Sequence, residues 1–194
     1  MSSTALSALE RTGAVLKGHF RLSSGLHSDT YIQKFRLFQH PPVTEALARE
    51  LAERCRGLPA QVVAAPAVGA IVLGYELARA LGLRSIFLER KDGVFATRIG
   101  MDLAPGEKVL CAEDVVTTGG SVLEMARAIE AAGAEVLGFA AVIDRSGAGP
   151  APDFGKPFRA LLKLNPPQYP AEACPLCQAG IPLTVPGTQQ RAKA

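Results

Sequence analysis

Apolar positions along this 194-residue chain change period twice. In the first stretch Leu6, Leu9 and Leu16 fall near one face of a helix, and Gly18 stands just past its end, where a left-handed cap is needed. Two strand-like runs follow, 19–22 and 30–35, and Ser23-Ser24-Gly25 between them has turn composition, which predicts a hairpin. Pro41-Pro42 then opens a helix in which Leu47, Leu51 and Cys55 repeat at helical spacing, until Gly57 and Pro59 end it. From Val62 the pattern becomes short, wholly apolar strands alternating with helices, as expected of a parallel sheet covered on both faces. Strand 61–65, helix 70–81 with Gly82 after it, and strand 85–88 make one such unit. Strand 108–112, helix 122–132 capped by Gly133, and strand 136–143 make a second. Between the units, 89–107 is polar and glycine-punctuated, long enough for a hairpin or a mobile loop over the strand ends. After Asp144-Arg145 the Gly- and Pro-rich stretch 146–157 reads as a loop, 158–164 as one more strand, and the tail from Pro186 as frayed.

Composition adds exclusions. A single α/β domain is the default at this length, and 48% hydrophobic with 20% charged residues is ordinary for a globular protein. The net charge of +3 is small and its basic residues are scattered, without the clustered stripe of a nucleic-acid binder. Glu10 and Arg11 interrupt the only apolar stretch at the start, and no run approaches about 18 apolar residues, so neither a signal peptide nor a membrane partner is expected. The cytoplasm is the expected compartment. Cys55 and Cys111 fit it, because each lies in an apolar pattern where a reduced thiol behaves as a small hydrophobe.

The chemistry concentrates in 109–121, Val-Leu-Cys-Ala-Glu-Asp-Val-Val-Thr-Thr-Gly-Gly-Ser: an apolar strand, two acids, then a hydroxyl-and-glycine loop feeding a helix. Gly119 and Gly120 let backbone N–H groups turn inward, the helix N-terminus adds partial positive charge, and Thr117, Thr118 and Ser121 add hydroxyl donors, which together suit a phosphate. The Gly-Lys-Ser/Thr ending of a P-loop is absent. Paired carboxylates at the end of a parallel strand sit where α/β sheets bind ligands, and their hard oxygens suit Mg²⁺ or a ribose diol. The alternative is a strand-turn-helix with a capping box between Ser121 and Glu124. It explains those two residues, but not an acidic pair abutting a continuous apolar strand.

This segment resembles the phosphoribosyl pyrophosphate motif of type I phosphoribosyltransferases. The resemblance implies that family's fold, a central and mainly parallel sheet flanked by helices with a small hood formed by the N-terminal segment. The hood would span about 1–40, the core about 41–165, and a C-terminal extension about 166–194. It also implies that Glu113 and Asp114 meet the ribose hydroxyls, that the sugar phosphate lies along Val115, Val116, Thr117, Thr118, Gly119, Gly120 and Ser121, and that Mg²⁺ arrives held mainly by phosphoribosyl pyrophosphate. Three further segments resemble orotate phosphoribosyltransferases in the right order: Gly18-His19-Phe20-Arg21-Leu22-Ser23-Ser24-Gly25, Ala65-Pro66-Ala67-Val68-Gly69-Ala70 and Ile143-Asp144-Arg145. By that resemblance Ser23, Tyr31, Thr117 and Arg145 face orotate, and a guanidinium suits an anionic, oxygen-rich heterocycle. The alternative for Arg145 is a surface salt bridge with Asp144. The implied reaction transfers the phosphoribosyl group to orotate in pyrimidine synthesis. The implied assembly is a homodimer whose catalytic loop closes over the partner's site.

Many members of that family carry lysine where this chain has Ser23 and Gly69. Pyrophosphate contacts must then come from elsewhere, and Arg90, Lys91 and Arg98, on the segment that resembles the catalytic loop, are the candidates, with Asp114 beside them. His19, His27 and His40 form no metal-ligand spacing with the cysteines in the linear sequence. Cys174-Pro175-Leu176-Cys177 reads as half of a zinc site, a redox pair or, most plainly, two packed thiols.

Overall fold

Val62 to Pro66 are buried at every position, which only a strand covered on both faces tolerates. That strand is the centre of the computed structural model of this chain, which describes residues 3–22 and 24–186. The elements run in the order α1 (Ser3–Arg11), β1 (Val15–Arg21), β2 (His27–Ile32), α2 (Phe35–Phe38), α3 (Pro41–Cys55), β3 (Val62–Pro66), α4 (Ile71–Leu81) and β4 (Arg84–Lys91). They continue through β5 (Val94–Thr97), β6 (Lys108–Val116), α5 (Gly120–Ala131), β7 (Glu135–Asp144), β8 (Phe158–Lys163), a 3₁₀ turn (Ala171–Ala173) and α6 (Pro175–Gln178).

The main sheet has the order β5-β4-β3-β6-β7-β8, with every pair parallel except the β4–β5 edge. Chain order steps outward from β3 to β4 in one direction and from β6 through β7 to β8 in the other, so the topology reverses between β3 and β6. Ligands of open α/β sheets bind at such a reversal, beyond the C-terminal ends of the strands. Leu47, Leu51, Leu73 and Leu77 of α3 and α4 close one face of the sheet, and Met125 and Ile129 of α5 close the other. Gly82 ends α4 at φ 69°, the left-handed cap anticipated from its position.

Of the polar stretch 89–107, residues up to Thr97 form an antiparallel hairpin, β4 with β5, turning at Asp92-Gly93, and 98–107 is an irregular connection to β6. The first helix is shorter than its leucine spacing implied. It ends at Arg11, and Leu16 and Gly18 belong instead to β1, paired with β2 in a separate two-stranded hood. Gly13, at φ 59°, supplies the left-handed residue expected of Gly18. The C-terminal segment returns to this hood: Tyr169 exchanges two backbone hydrogen bonds with His27, at 2.8 Å each, and Thr184 pairs with Phe20. Among the described residues no helix is long and apolar enough to cross a membrane. The tail beyond Pro186 and the hood residue Ser23 lie outside the described residues.

Candidate functional site

Strand β6 runs apolar and buried from Val109 to Ala112 and then delivers Glu113 and Asp114, both still buried, to the reversal point. Burying two adjacent carboxyls without water raises the cost of ionising either one. Desolvation pushes Glu113 up to about 8, the neighbouring Asp114 charge adding to it and the backbone N–H of Asp114 and the Ser121 hydroxyl opposing it. Burial raises Asp114 as well, against the pull of the Lys34 ammonium, which forms an ion pair with its Oδ2. Lys34 therefore favours ionisation of Asp114 over Glu113. The second Asp114 oxygen accepts the backbone N–H of Val115 at 2.6 Å.

Lys34 was not singled out by the sequence. It follows β2, and it reaches the acids across Gly69 in the loop after β3: a Cβ at Gly69 would collide with the Lys34 ammonium and lie 2.5 Å from Asp114 Oδ2. The missing side chain at 69 is the space the ammonium occupies. No linear pattern joins residue 34 to residue 69, so only the fold reveals the pair.

Beyond the acids, Thr117 and Thr118 are exposed, and Gly119 begins α5 in the left-handed conformation, φ 80°, with no side-chain cap on the helix. The capping box suggested by Ser121 and Glu124 does not form. The Ser121 hydroxyl turns to Glu113, and Glu124 pairs with Arg90 Nη2. A Cβ on Gly119 would run into the Phe154 ring, which packs against Phe139 and Phe158 at centroid distances of 5.0 and 5.3 Å. Loop 146–157 thus fixes the backbone of the glycine turn from behind. The result is a lip of exposed hydroxyls and N–H groups at a helix N-terminus, a setting that favours an anion.

Arg145 stands beside this lip, its backbone N–H donating to Val116 O at 2.7 Å. Its alternative role as a partner for Asp144 fails, because Asp144 faces Lys163 at 3.7 Å and the Ser146 N–H at 2.9 Å. Arg145 is 9% exposed, and its guanidinium Nε and Nη2 are buried with no hydrogen-bond partner among the described residues. Burial lowers its pKa, partly offset by Tyr31, which brings the hood to the end of β7. Tyr31 itself packs on Phe20, ring centroids 5.7 Å apart.

The hairpin cations stand apart from this centre. Arg90 also lies over the Phe95 ring at 4.3 Å and donates to Gly93 O at 2.8 Å, while Arg98 pairs with Glu89 at 2.9 Å. Lys91 is exposed and has no ion pair among the described residues. Cys55 and Cys111 are buried thiols as expected, Cys55 pushed up to about 11 by desolvation and Cys111 raised by the same cause.

The histidines and the CxxC depart from expectation. His19 and His27 on the hood, Cys174, and Cys177 on α6 place their ligand atoms within 4.8 Å of one another. Sequence spacing concealed this, because the two pairs lie at opposite ends of the chain and meet only through the returning C-terminal segment.

Residues 36–158 match the Phosphoribosyl transferase domain family. A protein of Caldanaerobacter subterraneus subsp. tengcongensis named orotate phosphoribosyltransferase is 47% identical over 185 residues, 95% of this chain and 96% of that protein. One of the same name from Thermotoga maritima is 48% identical over 181 residues, 93% of this chain and 96% of its own length. Among solved structures, the Mycobacterium tuberculosis orotate phosphoribosyltransferase in complex with inorganic phosphate superposes with a TM-score of 0.67 at 26% identity, over 83% of this chain and 95% of that one. That of Aeropyrum pernix shares the fold, with a TM-score of 0.69 at 24% identity over 81% of this chain and 92% of the other. By sequence match over nearly its whole length and by the type I fold of its sheet, this chain belongs to the orotate phosphoribosyltransferase family.

Proposed function

We propose that this chain, one phosphoribosyltransferase domain with an N-terminal hood, transfers the phosphoribosyl group of phosphoribosyl pyrophosphate to orotate. A ring nitrogen of orotate, having given up its proton, bonds to the anomeric carbon while the bond from that carbon to pyrophosphate breaks. The products are orotidine 5′-monophosphate and pyrophosphate, in pyrimidine synthesis. The observation that carries the base assignment is Arg145, a buried guanidinium with two unpartnered nitrogens beside a phosphate-type loop. A buried cation without partners is costly, and an anionic planar ligand with adjacent oxygens removes the cost.

In this reading the hydroxyls and N–H groups of Thr117 to Ser121, continuous with Val115 and Val116, hold the sugar phosphate. Glu113 and Asp114 accept the ribose hydroxyls, and Thr117, Tyr31, Ser23 and Arg145 enclose orotate. The two carboxyls are hard oxygen donors, buried at the end of β6, and would suit Mg²⁺ brought by phosphoribosyl pyrophosphate. Bound there, the ion would supply positive charge for the departing pyrophosphate. Lys34, reaching over Gly69, takes the place of the lysine that many members of the family carry at that position. Lys91 is available to pyrophosphate directly, whereas Arg90 and Arg98 must first leave Glu124 and Glu89. Because no protein nucleophile is required, acceleration rests on position and charge.

A homodimer is supported by exposed apolar side chains on α4, Val72 and Tyr75, and in the loop before it, Val68. Closure of the β4–β5 hairpin over the partner's site would exclude water from the activated sugar. Four cysteines outside any disulfide suit a reducing compartment, the cytoplasm.

The test follows orotate absorbance and pyrophosphate release with purified protein, phosphoribosyl pyrophosphate and Mg²⁺, with uracil, adenine and hypoxanthine in parallel. Turnover with orotate alone is expected. Release with another base in place of orotate would overturn the assignment of Arg145.

A further inference from the structure

The hood and the C-terminal segment meet at four side chains that the transfer reaction does not use. His19 is 2% exposed, His27 5% and Cys174 fully buried. The atoms that face one another are His19 Nε2, His27 Nδ1 and the two sulfurs. His19 Nε2 lies 3.0 Å from His27 Nδ1, 3.6 Å from Cys174 Sγ and 3.7 Å from Cys177 Sγ, and Cys177 Sγ lies 3.3 Å from His27 Nδ1. Around a tetrahedral zinc with bonds of about 2.0 Å to nitrogen and about 2.3 Å to sulfur, neighbouring ligands stand about 3.3 Å apart for two nitrogens and about 3.5 Å for nitrogen and sulfur. The four separations above fall within a few tenths of an ångström of that geometry, and all four ligand atoms lie within 4.8 Å of one another.

Two further features point the same way. His19 Nδ1 lies 2.8 Å from Ile181 O, an acceptor only, so Nδ1 carries the proton and Nε2 presents a lone pair to the centre. The ligand set is also selective: two thiols and two imidazoles favour zinc over the hard ions that carboxylates hold, and four protein ligands leave no position for a substrate. We propose that His19, His27, Cys174 and Cys177 form a closed, structural Zn²⁺ site that fastens the C-terminal segment to the hood. The site spans β1, β2 and α6, and backbone pairs Tyr169–His27 and Thr184–Phe20 already bring these elements together. It is independent of the base and the sugar, so its failure leaves the transferase reading intact.

The experiment uses the full chain, purified in reducing buffer without chelator. Elemental analysis should find about one zinc per chain, since four ligands form one site. Cobalt loaded after chelator stripping should give tetrahedral d–d bands and a thiolate charge-transfer band. Cys177→Ser, at the exposed ligand, should keep the fold by circular dichroism and lose both the zinc and the charge-transfer band. Added chelator should lower the melting temperature of the parent chain and leave that of the variant unchanged. A reduced, folded parent that holds no zinc and gives no cobalt spectrum would overturn the site, as would a Cys174–Cys177 disulfide in the protein as purified. Should the variant not fold, the cobalt spectrum of the parent decides alone.

Discussion

Replacing Glu113 by glutamine should stabilise the free chain while weakening its hold on the sugar. Glu113 is 8% exposed and held at about 8, against 4.5 for an ordinary carboxyl. The folded chain therefore binds a proton there that the unfolded chain has released, throughout the interval between those two values. Stability from this group is highest below about pH 4.5, falls as pH rises, and levels off above about 8. Each pH step in the interval costs about 1.4 kcal/mol, so at pH 7 the strain amounts to roughly 3 kcal/mol as an upper figure, relaxation reducing it. The amide of the Glu113→Gln variant would not titrate and would retain an oxygen for the Asp114 N–H that Glu113 Oε1 accepts at 3.1 Å. For a chain of this size about 1 kcal/mol moves the melting temperature by roughly 2–4 °C. The variant should thus melt several degrees above the parent at pH 8 and converge with it near pH 5. Differential scanning calorimetry from pH 5 to 9 measures this, and the KM for phosphoribosyl pyrophosphate should rise in the same variant. Parallel melting curves across that pH range would refute the assignment of strain to Glu113. Glu113 is a destabilised carboxyl at the place proposed for the ribose hydroxyls, so stability and the proposed function pull in opposite directions.

Arg145→Met should raise the KM for orotate by about 100-fold or more while leaving phosphoribosyl pyrophosphate affinity within a few-fold and stability unchanged or higher, because it removes a charged donor set that lacks partners; steady-state kinetics with each substrate varied separates the two. Lys34→Met leaves the Asp114 carboxylate buried without its cation and should cost about 2–4 kcal/mol by urea denaturation near neutral pH. Gly119→Ala forces a Cβ into the Phe154 ring at a positive φ, for a loss of about 1–3 kcal/mol by the same method together with a rise in the KM for phosphoribosyl pyrophosphate. Arg98→Ala should lower kcat and spare substrate affinity, since Arg98 pairs with Glu89 in the free chain; unchanged turnover removes Arg98 from the reaction.

Period and punctuation in the sequence located the sheet because its strands are buried on both faces: Val62 to Ala65 and Val109 to Ala112 contain nothing but apolar residues. The same rule failed at Leu16, whose spacing from Leu9 fits a helix but which lies in strand β1, since one leucine cannot distinguish a helical face from a hairpin face. Glu113, Asp114 and the glycine turn were legible because a contiguous segment supplies them all. Lys34 and the histidine–cysteine cluster were not, because each joins segments far apart in the chain, and linear spacing carries no record of which loops a sheet reversal or a returning terminus will bring together.

The hood is built from segments far apart along the polypeptide: Phe20 and His27 on one side, Tyr169 and Thr184 on the other. A ribosome adds about 5–20 residues each second, so the hairpin emerges many seconds before the segment that braces it. The sheet and its phosphate-type loop can be complete while the cover for the base is still unfinished. On the proposed reading, a chain cut short of residues 169–184 would keep the loop assigned to the sugar phosphate and lack the brace of the hood. Bracing of the hood therefore waits on residues 169–184, whatever the state of the sheet.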